Sequence, residues 1–76
     1  MKIEILGMGC ASCNKLYQNT LEAVEQSGKE AEVVKVDDLQ KIMAYGVLST
    51  PALVIDGVVK TAGKLPKVDE IKEWIR

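Results

Sequence analysis

The sequence predicts an α/β fold in which a mixed four-stranded sheet is flanked by helices, in the order βαβαββα. Three features predict it: short apolar runs alternate with stretches of helical periodicity, Asp56-Gly57 joins the last two apolar runs, and the chain ends in an amphipathic stretch. A chain of 76 residues suits one small domain, so we expect residues 1–76 to form a single domain.

The first half of the chain predicts a βαβ unit. Residues 2–6 and the valine-rich residues 31–36 are the two strands, and residues 11–27 between them have helical periodicity. Gly28 is a natural C-cap for this helix. Its predicted inner face carries Cys13, Leu16, Tyr17, Leu21 and Val24. Two strands joined through a helix are expected to be parallel, with a right-handed crossover.

The second half predicts a short helix, a hairpin and a last helix. Asp37 and Gln40 form a capping-box-like start for residues 38–45, which Gly46 ends. Residues 52–55 and 58–61, joined by Asp-Gly, predict an antiparallel hairpin. Pro66 opens a helix over residues 67–75. The residues predicted to face inward from the two helices are Leu39, Ile42, Met43, Val68, Ile71, Trp74 and Ile75.

The composition is that of a soluble globular protein, with 47% hydrophobic residues, 28% charged residues and a net charge of −1. No basic stripe is present, so we expect neither nucleic acid nor a membrane as a partner. The apolar runs are too short to span a bilayer. The first residues include the acidic Glu4 and no small-residue cleavage site, so they do not predict a signal peptide, and we expect a cytoplasmic location.

Cys10 and Cys13, the only two cysteines, lie where the first predicted strand gives way to the helix. A pair this close in sequence removes little entropy from the unfolded chain, so a purely structural disulfide is disfavoured. Redox chemistry and metal binding are the two chemistries left open by this spacing.

The metal alternative rests on the segment Gly-Met-Gly-Cys-Ala-Ser-Cys, residues 7–13. This segment resembles the loop of heavy-metal-associated domains, in which two thiolates hold a soft ion such as Cu(I) or mercury. Those domains have the element order βαββαβ, whereas this chain predicts a helix after its second strand and at its end. A zinc site is less suited, because the chain has no histidine and no second cysteine pair.

The whole chain resembles the thioredoxin superfamily, and in particular its small glutaredoxin-like, redox-active disulfide proteins. The residues that carry the resemblance are the Cys10-x-x-Cys13 motif, Thr50-Pro51 before the hairpin, and the order βαβαββα around them. The resemblance implies a thiol–disulfide oxidoreductase in which Pro51 is cis beside the cysteines. It also implies that the backbone of Thr50 pairs with an extended substrate strand.

The position of each cysteine predicts its role. Cys10 lies just ahead of the helix, where unpaired N–H groups and the helix dipole favour a thiolate that attacks a substrate disulfide. Cys13 lies one turn inside, is expected to be more buried, and resolves the mixed disulfide. The chain then needs no cofactor beyond the reversible Cys10–Cys13 disulfide. The expected partners of this monomer are a disulfide-containing protein or small molecule and an upstream reductase or dithiol donor.

Two departures from the family limit the prediction. Ala62-Gly63-Lys64 stands where glutaredoxins that use glutathione usually carry Gly-Gly, so glutathione is not the predicted reductant. The buried acid that assists proton transfer in many thioredoxins has no clear counterpart, since Glu4 falls on the exposed alternation of the first strand. A non-catalytic thioredoxin-like interaction module is the third function class that the sequence allows.

Overall fold

The computed structural model of the protein describes residues 1–7, 11–47 and 49–75. The element order within these residues is βαβαββα, as predicted. The elements are β1 Lys2–Leu6, α1 Ala11–Ser27, β2 Glu32–Val36, α2 Leu39–Ala44, β3 Ala52–Ile55, β4 Val58–Ala62 and α3 Val68–Trp74. None of the helices in the described ranges is long and apolar enough to cross a membrane.

The strands form a mixed four-stranded sheet in the order β2-β1-β3-β4, which confirms the predicted fold class. β1 pairs with β2 in parallel and with β3 antiparallel, and β3 and β4 form the predicted hairpin. The hairpin turns at Asp56 and Gly57, which have φ values of 50° and 84°. Both residues therefore adopt the positive φ that an Asp-Gly turn favours.

The sheet is covered on both faces because its central strands alternate their side chains between two cores. The larger core joins β1 and β3 to α1 and α3, and contains Ile3, Ile5, Leu16, Ala23, Leu53, Ile55, Ile71 and Ile75. The smaller core lies on the opposite face, under α2, and contains Leu6, Ile42, Val47, Ala52 and Val54. All four residues of β3 are buried, as expected for a central strand with a helix on each side.

The buried stripe of α1 shares Cys13 and Leu16 with the predicted face but continues through Thr20 and Ala23, while Tyr17 and Val24 are only partly buried. Leu21 is 42% exposed, whereas Thr20 is fully buried. The stripe runs through Cys13, Leu16, Thr20 and Ala23, with spacings of three and four residues, and Leu21 falls to its side. Thr20 is accommodated because its hydroxyl donates to the Leu16 carbonyl at 2.8 Å. Hydrophobicity alone favoured Leu21 because it takes no account of this internal hydrogen bond.

The short helix α2 corrects two predictions. Its N-cap is Asp38, whose carboxylate accepts the N–H of Gln40 at 2.9 Å, rather than Asp37. Ile42 is its one buried residue, while Leu39 and Met43 are 57% and 64% exposed. A helix of six residues makes fewer than two turns, so it presents a single position squarely to the sheet.

The other boundaries differ by one or two residues. β2 begins at Glu32, β4 extends to Ala62, and α3 has Lys67 as its N-cap, so that Pro66 precedes the cap. Among the predicted inward residues of the last helix, Ile71 and Ile75 are buried and Val68 and Trp74 are partly buried.

Candidate functional site

The strand register brings three chain segments to one edge of the sheet. Leu6 pairs with Val36 on β2 and with Ala52 on β3. The residues just beyond these positions are Gly7, Asp37 and Pro51, so all three segments meet at this edge. We call it the cysteine edge, because α1 with Cys13 follows Gly7 in the chain.

Cys13 is buried at this edge, with 4% of its surface exposed. Its Sγ packs so closely on Gly7 that a β-carbon added there would overlap the sulfur. The N–H of Gly7 donates to the Val36 carbonyl at 3.0 Å, which extends the parallel pairing one residue past the end of β1. The predicted burial of Cys13 is confirmed, and Gly7 is the residue that makes room for it.

A pocket of about 220 Å³ lies beside Cys13. It is lined by Ile5, Gly7, Cys13, Asn14, Lys35 and Asp37. Lys35, on β2, donates from Nζ to Asn14 Oδ1 at 2.9 Å, and its Nζ lies 4.7 Å from the centre of the Tyr17 ring. These contacts hold an ammonium group on the pocket wall. The pocket therefore combines a thiol, a cation and a carboxylate.

Sequence reasoning missed the contribution of Lys35, Asn14 and Asp37 to this pocket. Asp37 was assigned to the cap of α2, and Lys35 has the polar character of any exposed strand residue. A usable signal was the parallel pairing predicted for the first two strands, because it places the end of the second strand beside the cysteine helix.

Thr50 and Pro51 lie at the same edge. The peptide bond between them is cis, as the family resemblance implies. Pro51 is buried and Thr50 is exposed. The Pro51 carbonyl accepts the N–H of Gly63 at 2.8 Å, so the segment after β4 is tied to the proline loop. Gly63 has a φ of 72°, and a β-carbon there would lie 2.8 Å from that of Ser49, so the contact requires glycine.

Cys10, the predicted attacking thiol, lies outside the described residues, as do Met8 and Gly9 of the predicted metal loop. The structure describes Cys13, Thr50 and Pro51 of the predicted site and brings their segments to one edge. In the described ranges, no group of three or more metal-ligating His, Cys, Asp or Glu side chains is present.

Glu4 has a different environment from the exposed one predicted for it. Its side chain is 14% exposed, and its Oε2 accepts the Tyr45 hydroxyl at 2.8 Å. Glu4 pairs with Val54, which belongs to the core under α2, so it faces away from the α1 side of the sheet where Cys13 lies. The hydrogen bond to Glu4, with desolvation and the negative charge of Glu4 as smaller causes, raises the pKa of Tyr45. Glu4 is therefore a structural partner of α2.

Comparisons with known proteins agree with this architecture. The family model described as "Thioredoxin domain" matches residues 1–76. A thioredoxin of Methanocaldococcus jannaschii is 45% identical over 74 residues, which cover 97% of this chain and 85% of the relative. A thioredoxin of Methanothermobacter thermautotrophicus is 40% identical over 73 residues, covering 96% of this chain and 95% of the relative. A probable thioredoxin of the same species is 33% identical over 69 residues, covering 87% and 80%.

Proposed function

The chain belongs to the thioredoxin family, and on this premise we propose that its thiol–disulfide oxidoreductase function is carried by Cys10 as the attacking thiol and Cys13 as the resolving thiol. The observation that carries the proposal is the placement of Cys13, buried on Gly7 at the edge that also holds Thr50-Pro51. The proposal includes the small glutaredoxin-like subtype, which rests on the order βαβαββα.

The reaction is a balanced two-electron exchange. The Cys10 thiolate attacks one sulfur of a substrate disulfide, forms a mixed disulfide and releases the first substrate thiol. Cys13 then loses its proton and attacks Cys10, the second substrate sulfur leaves as a thiolate that takes up a proton from solvent, and the protein is left with a Cys10–Cys13 disulfide. The substrate gains the two electrons and two protons that the protein dithiol loses. No cofactor is required for this cycle.

The burial of Cys13 and the exposure of the two residues that precede it support the division of roles. Ala11 and Ser12, which follow Cys10, are exposed, whereas Cys13 is buried. A buried thiol cannot readily reach the disulfide of another protein, so we assign the first attack to Cys10, three residues earlier in the sequence, and the resolving step to Cys13. The start of α1 also favours an anion at the residue that precedes Ala11.

The exposed Thr50 supports the proposed partners. Its backbone groups, ahead of the buried Pro51, are available to pair with an extended segment of a disulfide-containing protein. A disulfide-containing small molecule is the alternative substrate, and a reductase or dithiol protein returns the electrons. We propose that the protein acts as a cytoplasmic monomer formed by the single domain of residues 1–76.

Reduction of insulin disulfides, with dithiothreitol as the electron source, tests the proposal. Cys10→Ser should abolish turnover. In a separate single-turnover reaction without dithiothreitol, Cys13→Ser should accumulate mixed disulfides with the substrate, because neither Cys13 nor a small dithiol is present to resolve them. Gln18→Ser, at an exposed position on the same helix, is the matched control and should retain wild-type turnover. Turnover that survives Cys10→Ser, or trapping by Cys10→Ser instead of Cys13→Ser, would contradict the assignment.

Cu(I) binding and alkylation of the two thiols test the metal alternative, which stays a prediction from the segment of residues 7–13. One equivalent of Cu(I) that protects both thiols from alkylation, together with no insulin reduction, would identify a soft-metal carrier. An intramolecular disulfide that forms and reopens reversibly, with insulin reduction, supports the oxidoreductase. A protein that shows neither behaviour would be an interaction module.

A further inference from the structure

We propose that Asp37 accepts the proton that leaves the Cys13 thiol, by way of water in the pocket that both residues line. This inference rests on the proposed function, because it assigns a residue to the resolving step. The structural basis is the pocket of about 220 Å³ that has Cys13, Asp37 and Lys35 on its wall.

Asp37 is available for this role because it does not cap α2. Its neighbour Asp38 is the N-cap and accepts the N–H of Gln40. Asp37 instead directly follows β2, whose last residue pairs with the last residue of β1. This position places Asp37 among the residues that line the pocket with Cys13. Asp37 is exposed, so a proton that it accepts can pass on to solvent.

The pocket connects a buried thiol to an exposed carboxylate. Cys13 is 4% exposed, whereas Asp37 is exposed. A water molecule occupies about 30 Å³ of liquid, so a pocket of about 220 Å³ has room for water between the two side chains. Proton transfer through one positioned water is an accepted geometry for general base catalysis. A resolving thiol needs such a route because only its thiolate attacks a disulfide.

Lys35 contributes a positive charge to the residues that line the pocket. Its ammonium group is held by Asn14 Oδ1 and lies over the ring of Tyr17. A positive charge on the same wall favours the thiolate that forms at Cys13. Among the described residues, the charged or titratable groups that line the pocket are Cys13, Lys35 and Asp37. The remaining lining residues are uncharged.

The resolving step balances in protons and electrons. The Cys13 S–H bond breaks and its proton passes through water to the Asp37 carboxylate. The Cys13 thiolate then forms a bond to the sulfur of Cys10, and the bond from Cys10 to the substrate breaks. The substrate leaves as a thiolate with the electron pair of that bond. The protonated Asp37, which is exposed, returns its proton to solvent.

Reaction of the fully reduced protein with one equivalent of Ellman's reagent isolates this step. Attack by Cys10 releases a first thionitrobenzoate and leaves a mixed disulfide, and resolution by Cys13 releases the second. At pH 7, Asp37→Asn should slow the second release roughly ten-fold and leave the first unchanged. Asp37→Glu should restore most of the rate, because it retains a carboxylate on the wall.

Asp38→Asn is the matched control. It removes the same charge from the adjacent residue, and asparagine is as good an N-cap as aspartate. Both releases should remain within about two-fold of wild type, since Asp38 does not line the pocket and an exposed charge is screened at physiological salt. Equal slowing of the second release in Asp37→Asn and Asp38→Asn would overturn the proposal in favour of a general charge effect.

The pH profile separates proton transfer from a structural role. The deficit of Asp37→Asn should shrink as the pH rises, because a thiol that is already ionised needs no acceptor. A deficit of constant size from pH 6 to pH 10, or no deficit at pH 7, would overturn the assignment of Asp37 while leaving the dithiol mechanism intact. A wild-type protein that never makes the second release would overturn both this inference and the proposed function.

Discussion

Gly7 and Cys13 are in such close contact that the end of β1 has no room for a side chain beside the cysteine sulfur. The contact fixes how deeply α1 lies against the sheet at the cysteine edge. Because interiors are close-packed, an added methyl group here must displace either the helix start or the sulfur.

Gly7→Ala should therefore lower the free energy of unfolding by about 1–3 kcal/mol, the usual cost of overpacking. It should also slow the resolving step, because the displaced atom is the Cys13 sulfur. Urea denaturation of the reduced protein measures the stability. Gly28→Ala is the control for the resolving step: its φ of 70° makes alanine unfavourable and should also lower stability, but a β-carbon there meets nothing within 4 Å, so the resolving rate should not change.

A double-mutant cycle identifies the sulfur as the obstacle. Cys13→Ala removes the Sγ, so Gly7→Ala should cost less in that background, with a coupling of at least about 0.5 kcal/mol. Additive losses in the double variant would mean that the glycine is needed for its backbone rather than for the space beside Cys13.

The N-cap of α2 predicts different effects for two adjacent aspartates. Asp38→Ala removes the acceptor of the Gln40 N–H and should lower the free energy of unfolding by about 1 kcal/mol. Asp37→Ala should change it by no more than about 0.5 kcal/mol, as is usual for exposed positions. Thermal or urea denaturation measures both values. A larger loss of unfolding free energy for Asp37→Ala than for Asp38→Ala would support Asp37 as the N-cap, as predicted from the sequence.

The single buried residue of α2 predicts a sharp contrast along that helix. Ile42→Ala should cost about 2–3 kcal/mol, because the side chain is 3% exposed and fills the core with Val47 and Val54. Met43→Ala removes a side chain that is 64% exposed and should stay within about 0.5 kcal/mol of wild type. Urea denaturation of both variants measures the two losses of unfolding free energy. Similar losses at the two positions would contradict the observed orientation of α2, which buries Ile42 and exposes Met43.

The hydrogen bond from Tyr45 to Glu4 predicts a pH dependence at alkaline pH. The bond raises the pKa of Tyr45 in the folded protein above the ordinary value of about 10. Its contribution to stability is therefore fully present below pH 10, and is lost as the pH rises through the folded pKa. Spectrophotometric titration should find one tyrosine that ionises above the ordinary range, and Tyr45→Phe should remove it.

Glu4→Leu provides the control for that assignment. It removes the oxygen that accepts the Tyr45 hydroxyl together with the carboxylate charge, and should bring the pKa of Tyr45 down toward its ordinary value. If the late-ionising tyrosine persists in Glu4→Leu, the raised pKa has another cause. Neither substitution should alter the resolving rate, because Glu4 faces the α2 side of the sheet.

The order of elements was predictable because each one has a strong local pattern. Alternation in residues 2–6, helical spacing in residues 11–27 and the Asp56-Gly57 turn depend on neighbours within a few positions. The weaker pattern of α2 was only partly predicted. Its six residues make too few turns for hydrophobicity to show which side faces the sheet, so Leu39 and Met43 were wrongly placed inside.

The βαβαββα order, the motif Cys10-x-x-Cys13 and the family resemblance through Thr50-Pro51 can be predicted from the chain, because they are properties of residues close together in sequence. The space that Gly7 leaves for the Cys13 sulfur, and the pocket that Asp37 and Lys35 line beside it, are visible only in the folded protein. Such contacts depend on which strand ends lie side by side. That is set by the parallel register of β1 and β2, which residues 7–31 separate in the chain, and local periodicity carries no information about it.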